Sequence, residues 1–72
     1  MNIKIDTEFI KLDQLLKFSG VAYSGAEAKD MILAGCVEVD GNLCQMRGKK
    51  MYPGSSATVY LSEDEIVELK VE

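Results

Sequence analysis

The sequence predicts an α+β domain: a short N-terminal strand, then a two-helix helix–turn–helix unit packed on a small, mainly antiparallel sheet. Three observations predict it. Two segments between Lys11 and Gly35 carry apolar residues at helical spacing, and a glycine closes each one. After Gly35 the apolar period changes from helical to two, and Asp40-Gly41-Asn42 supplies a strong hairpin turn.

The elements follow in order. Residues 2–6 alternate, with Ile3 and Ile5 on one side and Asn2, Lys4 and Asp6 on the other, which predicts a strand. Leu12, Leu15, Leu16 and Ser19 fall on one helical face, Phe18 widens the apolar stripe, and Gly20 stops the helix; its expected span is Lys11 to Ser19. Ser24 followed by Glu27 is a capping-box signature. Ala28, Met31 and Ile32 continue that second helix, expected from Gly25 to Ala34. Val37 and Val39 then point to one side of a strand, and Leu43 to Met46 is the expected return strand. Arg47-Gly48-Lys49-Lys50 reads as a basic loop, and Tyr52-Pro53-Gly54 as a second turn, because Pro presets φ and Gly tolerates positive φ. Ala57, Val59 and Leu61 alternate inward, Ser62 to Glu65 turns, and Val67, Leu69 and Val71 form the last strand. No repeat or linker divides the 72 residues, so they form one expected domain, 1–72.

Composition narrows the function classes. With 47% apolar and 28% charged residues the chain is expected to fold. No apolar stretch nears the roughly 18 residues that span a bilayer, and the first residues lack a secretory pattern, so a cytoplasmic location is expected. The chain has no His, the usual general base near neutral pH, and no P-loop or dinucleotide fingerprint. Catalysis is therefore not expected. Cys36 and Cys44 are too few for a disulfide scaffold and form no CxxC pair, so free thiols and no metal or other cofactor are expected.

The net charge of −4 is unevenly placed. Glu63, Asp64, Glu65, Glu68 and Glu72 crowd the C-terminal segment, while the stretch Gly41 to Ser62 holds Arg47, Lys49 and Lys50 and no acid. Salt screens charges beyond about 8–10 Å, so the local field decides what a surface binds. Recognition of a polyanion needs clustered cations and accessible backbone amides, sometimes with an aromatic for stacking. Arg47, Gly48, Lys49 and Lys50 are the first candidates, the alternative being a solvated turn. Lys29 has no acidic partner four residues away, whereas Lys17 has Asp13, so an ion pair competes with a ligand role there. Ser24 and Gly25 offer a helix N-terminus to an anion or simply cap the helix. Tyr23 and Tyr52 either stack on a base or pack in part against the core.

The stretch from Leu12 to Gly54 resembles the S4 RNA-binding domain, the alpha-L motif of ribosomal protein S4, some pseudouridine synthases and bacterial tyrosyl-tRNA synthetases. The matching pieces are Leu12-Asp13-Gln14-Leu15-Leu16-Lys17, Ser24-Gly25-Ala26-Glu27-Ala28-Lys29, Gly35-Cys36-Val37-Glu38-Val39-Asp40-Gly41 and Arg47-Gly48-Lys49-Lys50-Met51-Tyr52-Pro53-Gly54. More closely, the chain resembles stand-alone bacterial S4-domain proteins of the YaaA and YbcJ type, and its opening Ile5-Asp6-Thr7-Glu8 looks like the YaaA type too. The resemblance implies a non-catalytic module that binds structured ribosomal or transfer RNA, with the ribosome as an expected partner, through Lys17, Ser24, Gly25, Lys29, Arg47, Lys49 and Lys50. Met46 stands where the family often has a second base, and Asp40 where it often has Asn. The competing expectation is a protein-interaction module whose working surface is the acidic C-terminal strand.

Overall fold

A computed structural model describes all 72 residues. A five-stranded sheet runs in the order β1-β7-β6-β3-β4, built from Asn2–Ile3 (β1), Ile66–Val71 (β7), Ser56–Tyr60 (β6), Val37–Val39 (β3) and Asn42–Leu43 (β4). Its central pairs are antiparallel; only β1 runs parallel, against β7. A separate antiparallel ribbon joins Ile10–Lys11 (β2) to Lys50–Met51 (β5). The helices are Leu12–Phe18 (α1) and Gly25–Leu33 (α2).

The sheet is one-sided. Val37, Val39, Ala57, Val59, Leu69 and Val71 are buried on one face, and Leu12, Leu15, Leu16, Ala28 and Ile32 of the helices join them in a core of 14 residues, all apolar. A helix as short as α1 or α2 does not persist alone in water, so burial of these stripes holds both in place. Within β7, side chains alternate, so Glu68 and Lys70 point to the face turned away from the helices.

The two helices start differently. Ser24 Oγ accepts the Glu27 N–H at 3.2 Å, the side-chain cap the sequence predicts. Lys11, at the N-cap of α1, supplies no side-chain bond. Instead Leu12 N–H donates to the Lys49 carbonyl at 2.8 Å and Asp13 N–H to the Arg47 carbonyl at 3.0 Å. A tertiary contact with the basic loop thus satisfies amides that a helix start otherwise leaves open. Gly35, at φ 84°, follows α2 and takes the left-handed conformation that ends a helix.

The hairpin between β3 and β4 turns on Asp40 (φ 50°) and Gly41 (φ 85°), the paired positive angles of a type I′ turn. Asp40 tolerates that angle and uses its carboxylate: Oδ1 accepts the Ser56 N–H at 2.9 Å, tying the turn to β6.

Several expectations need correction. The N-terminal strand is only Asn2–Ile3, although Ile5 N–H still bonds the Glu72 carbonyl at 3.0 Å. The return strand ends at Leu43, because the chain then leaves the sheet to reach α1. Phe18 is 67% exposed: at 3.6 residues per turn it lies about 110° from the centre of the Leu12, Leu15 and Leu16 stripe. Leu61 is exposed because β6 ends at Tyr60 and Leu61 N–H bonds the Glu65 carbonyl in the turn that follows.

Candidate nucleic-acid interface

The basic loop is fixed at both ends to the helix pair. Its Arg47 and Lys49 carbonyls cap α1, as described, and just before it Gln45 Nε2 donates to the Leu33 carbonyl at the end of α2 at 3.0 Å. Arg47, Gly48 and Lys49 are exposed. Because the backbone faces the helix, the side chains are left for solvent or a ligand.

Those two anchors locate the helical lysines. Lys17 lies four residues beyond Asp13 on α1, and Lys29 four residues before Leu33 on α2, so each is roughly one turn, about 6 Å, from a loop contact. Gly25, Lys29 and Leu33 follow at four-residue intervals, a single row about 12 Å long. It runs from the N-terminus of α2, where the Gly25 and Ala26 amides have no acceptor within the chain, to the Gln45 anchor. Lys17 and Lys29 are both exposed. The Asp13 carboxylate accepts the neighbouring Gln14 N–H at 2.8 Å, which holds it at the start of α1.

Lys50 departs from the expected loop. It belongs to β5, and its Nζ lies 4.9 Å from the centroid of the Phe9 ring. Tyr52 packs beside Phe9, ring centroids 5.8 Å apart, and remains 44% exposed. Tyr23, for which partial packing was the alternative, is 93% exposed in the turn between the helices.

A shallow groove separates the β3–β4 hairpin from the loop, lined by Val39, Asp40, Asn42, Leu43, Cys44, Gln45, Met46 and Lys49. Cys36 and Cys44 are free and half-buried, and no three Cys, Asp or Glu side chains converge as a metal centre requires. No helix is long and apolar enough to cross a membrane.

Carboxylates line the outer sheet face, besides Asp13, Glu27 and Asp30 on the helices. Glu38, Thr58 and Glu68 form one cross-strand row on the outer face of the sheet. The Glu38 carboxylate accepts the Tyr60 hydroxyl at 2.8 Å. That bond raises the phenol's pKa above its ordinary 10.0, with desolvation and the carboxylate charge acting the same way. The buried layer between this face and the helices is roughly 10 Å deep, comparable to the screening length in physiological salt. On the helical side Lys17, Lys29, Arg47 and Lys49 stand against Asp13, Glu27 and Asp30, so the negative net charge comes from the rest of the chain.

Two helices on a one-sided sheet, with a basic loop bonded across the helix start, define a small α+β domain. The family model of the S4 domain matches residues 3–69, and the chain belongs to that family. S4 domains are generally RNA-binding modules and generally non-catalytic. No curated protein sequence matches the chain.

The sequence brings the loop and both helical lysines forward as candidates, with Lys11 a weaker one, and gives no sign that Phe9 and Lys11 meet Lys50 and Tyr52 in the ribbon. Only the β2–β5 register reveals that meeting, and two-residue strands carry no periodic signal.

Proposed function

We propose that the chain binds structured RNA on the face formed by α1, α2 and the basic loop. Lys17, Lys29, Arg47 and Lys49 would contact phosphates, with Gly48 allowing close backbone approach and Ser24 and Gly25 presenting the open amides of α2. Lys50 would contribute from the adjoining ribbon. The observation that supports this reading is the double capping of α1 by the Lys49 and Arg47 carbonyls, at 2.8 and 3.0 Å, which holds the backbone of the basic loop at the start of α1. These side chains offer charge and few groups that read base edges, so recognition would follow RNA shape more than sequence. Ribosomal or transfer RNA is the proposed ligand class, in a cytoplasmic setting, in keeping with the likeness to stand-alone bacterial S4-domain proteins.

Salt dependence tests the proposal. With about four or five phosphate contacts, log affinity for a structured ribosomal RNA fragment falls against log salt with a slope of about −3 to −4. A flat response would remove the phosphate contacts and the reading with them.

One observation favours a second reading. The outer sheet face joins Glu38 and Glu68 to the exposed Tyr60 and Ile66, a surface suited to a basic protein partner. Changes at Glu65 and Glu68 that released such a partner, with RNA binding unaffected by loop changes, would support it.

A further inference from the structure

The β2–β5 ribbon pairs Ile10 with Met51 and Lys11 with Lys50. Met51 is fully buried and Ile10 partly so, which turns both toward the core. Side chains alternate along a strand, so Lys11 and Lys50 share the opposite face. One residue beyond Ile10 and Met51, the same register sets Phe9 beside Tyr52, and their rings are in contact. Four side chains, two aromatic and two cationic, therefore form a compact patch that the helix-face reading does not use as a unit.

The patch is costly without a ligand. Like charges directly opposite in an antiparallel pair destabilise it. Both lysines are exposed, and neither ammonium donates a hydrogen bond within the chain. Lys50 lies over the Phe9 ring, which gives its charge a fixed position. Tyr52 keeps nearly half of its surface open beside that ring. Paired cations fit a phosphate, and an exposed aromatic one row away, about 6.8 Å along the strands, fits the face of a base.

We propose that this ribbon is a second subsite that takes an unpaired nucleotide: its phosphate between Lys11 and Lys50, its base stacked on Tyr52. The proposal rests on the RNA reading above and extends it from structured RNA to a single-stranded flank. The ribbon is continuous with the helix face, because Lys11 leads directly into α1 and Lys50 follows directly from the capping Lys49. An RNA strand leaving the loop reaches Lys50 within one residue.

The test uses the full chain and two labelled probes: a blunt-ended ribosomal RNA hairpin and a hexauridylate. Tyr52→Ala should weaken hexauridylate binding by at least about fivefold, the range of a lost base–aromatic stack. Lys11→Gln with Lys50→Gln should weaken it as well and lower its salt slope by about 0.7 for the lost phosphate contact. That double change removes both a repulsion and the Lys50–Phe9 contact, which offset each other, so the melting temperature should stay level, and measuring it separates a binding loss from unfolding. Tyr52→Ala, which removes no cation, should not reduce hairpin affinity by more than about a third of its effect on hexauridylate.

Hexauridylate binding unchanged in both variants would overturn the subsite. Equal binding of an oligoglutamate peptide, insensitive to Tyr52→Ala, would also overturn it, leaving only a charged patch. If the hairpin binds through Arg47 and Lys49 while hexauridylate ignores the ribbon, the helix-face reading stands and the subsite falls. If hexauridylate uses the ribbon while the hairpin ignores Arg47 and Lys49, the subsite stands and the helix-face reading falls.

Discussion

Reversing two charges in the basic loop, Arg47→Glu with Lys49→Glu, should separate binding from stability. The loop caps α1 through the carbonyls of these two residues, at 3.0 and 2.8 Å, and the substitutions leave the backbone in place. Both side chains are exposed, so their replacement should cost less than about 0.5 kcal/mol. Carboxylates near a helix N-terminus are favourable by about 0.3–1 kcal/mol, which offsets or exceeds that cost. In a domain of this size 1 kcal/mol moves the melting temperature by about 4–8 °C, so thermal unfolding should show no loss and at most a rise of a few degrees. Binding should respond in the opposite direction. Two lost phosphate contacts remove about 1.5 from the slope of log affinity against log salt, a factor of about thirty at 0.1 M salt relative to 1 M. Repulsion from the new carboxylates adds to that. Fluorescence anisotropy with a structured ribosomal RNA fragment, repeated between 0.1 and 1 M salt, reads both effects. The wild-type and variant curves should converge as salt rises. Binding that survives at 0.1 M, or that falls only in step with the melting temperature, would refute the reasoning.

Other consequences follow from the same geometry. Leu15 is fully buried between the helices and the sheet, so Leu15→Ala should cost roughly 2–5 kcal/mol in urea unfolding; a cost under 1 kcal/mol would contradict the core assignment. Asp40→Asn keeps an acceptor for Ser56 N–H and a residue type that tolerates φ 50°, so it should cost less than about 0.5 kcal/mol. Asp40→Val loses both, and should cost about 1–3 kcal/mol in the same assay. The raised pKa of Tyr60 means that the folded chain holds this proton where the unfolded chain has released it. Its contribution to stability is therefore full below pH 10.0 and is lost as pH rises through the folded pKa. Absorbance titration of wild type minus Tyr60→Phe should show a midpoint above 10.0, and Glu38→Gln should bring that midpoint down.

Features encoded by neighbouring residues were legible in the sequence. Ser24 and Glu27 marked the start of α2, Asp40-Gly41 marked a hairpin with the required positive angles, and the alternation of Ala57 and Val59, and of Leu69 and Val71, marked the buried sheet face. Features that depend on distant partners were not. The start of α1 has no Ser, Thr, Asp or Asn at its cap because carbonyls more than thirty residues away do that work. The parallel pairing of β1 with β7 joins opposite ends of the chain, and the β2–β5 ribbon consists of two-residue strands too short to show a period. The same division runs through the candidate site. Arg47, Lys49 and their lack of acidic neighbours stand together in the sequence, whereas the turn of Lys50 toward Phe9 needs the ribbon's register. Phe18 shows the limit of pattern reading, since an apolar residue beside a stripe need not belong to it.

The central claim is that RNA meets the helical side of the domain and leaves the outer sheet face free. An amide-shift titration of the labelled chain with structured ribosomal RNA fragments tests it most directly. Shifts should concentrate at Lys17, Gly25, Lys29 and Arg47 to Lys49, with Thr58, Glu68 and Lys70 unmoved. Shifts confined to β6 and β7, or none at all, would contradict the account.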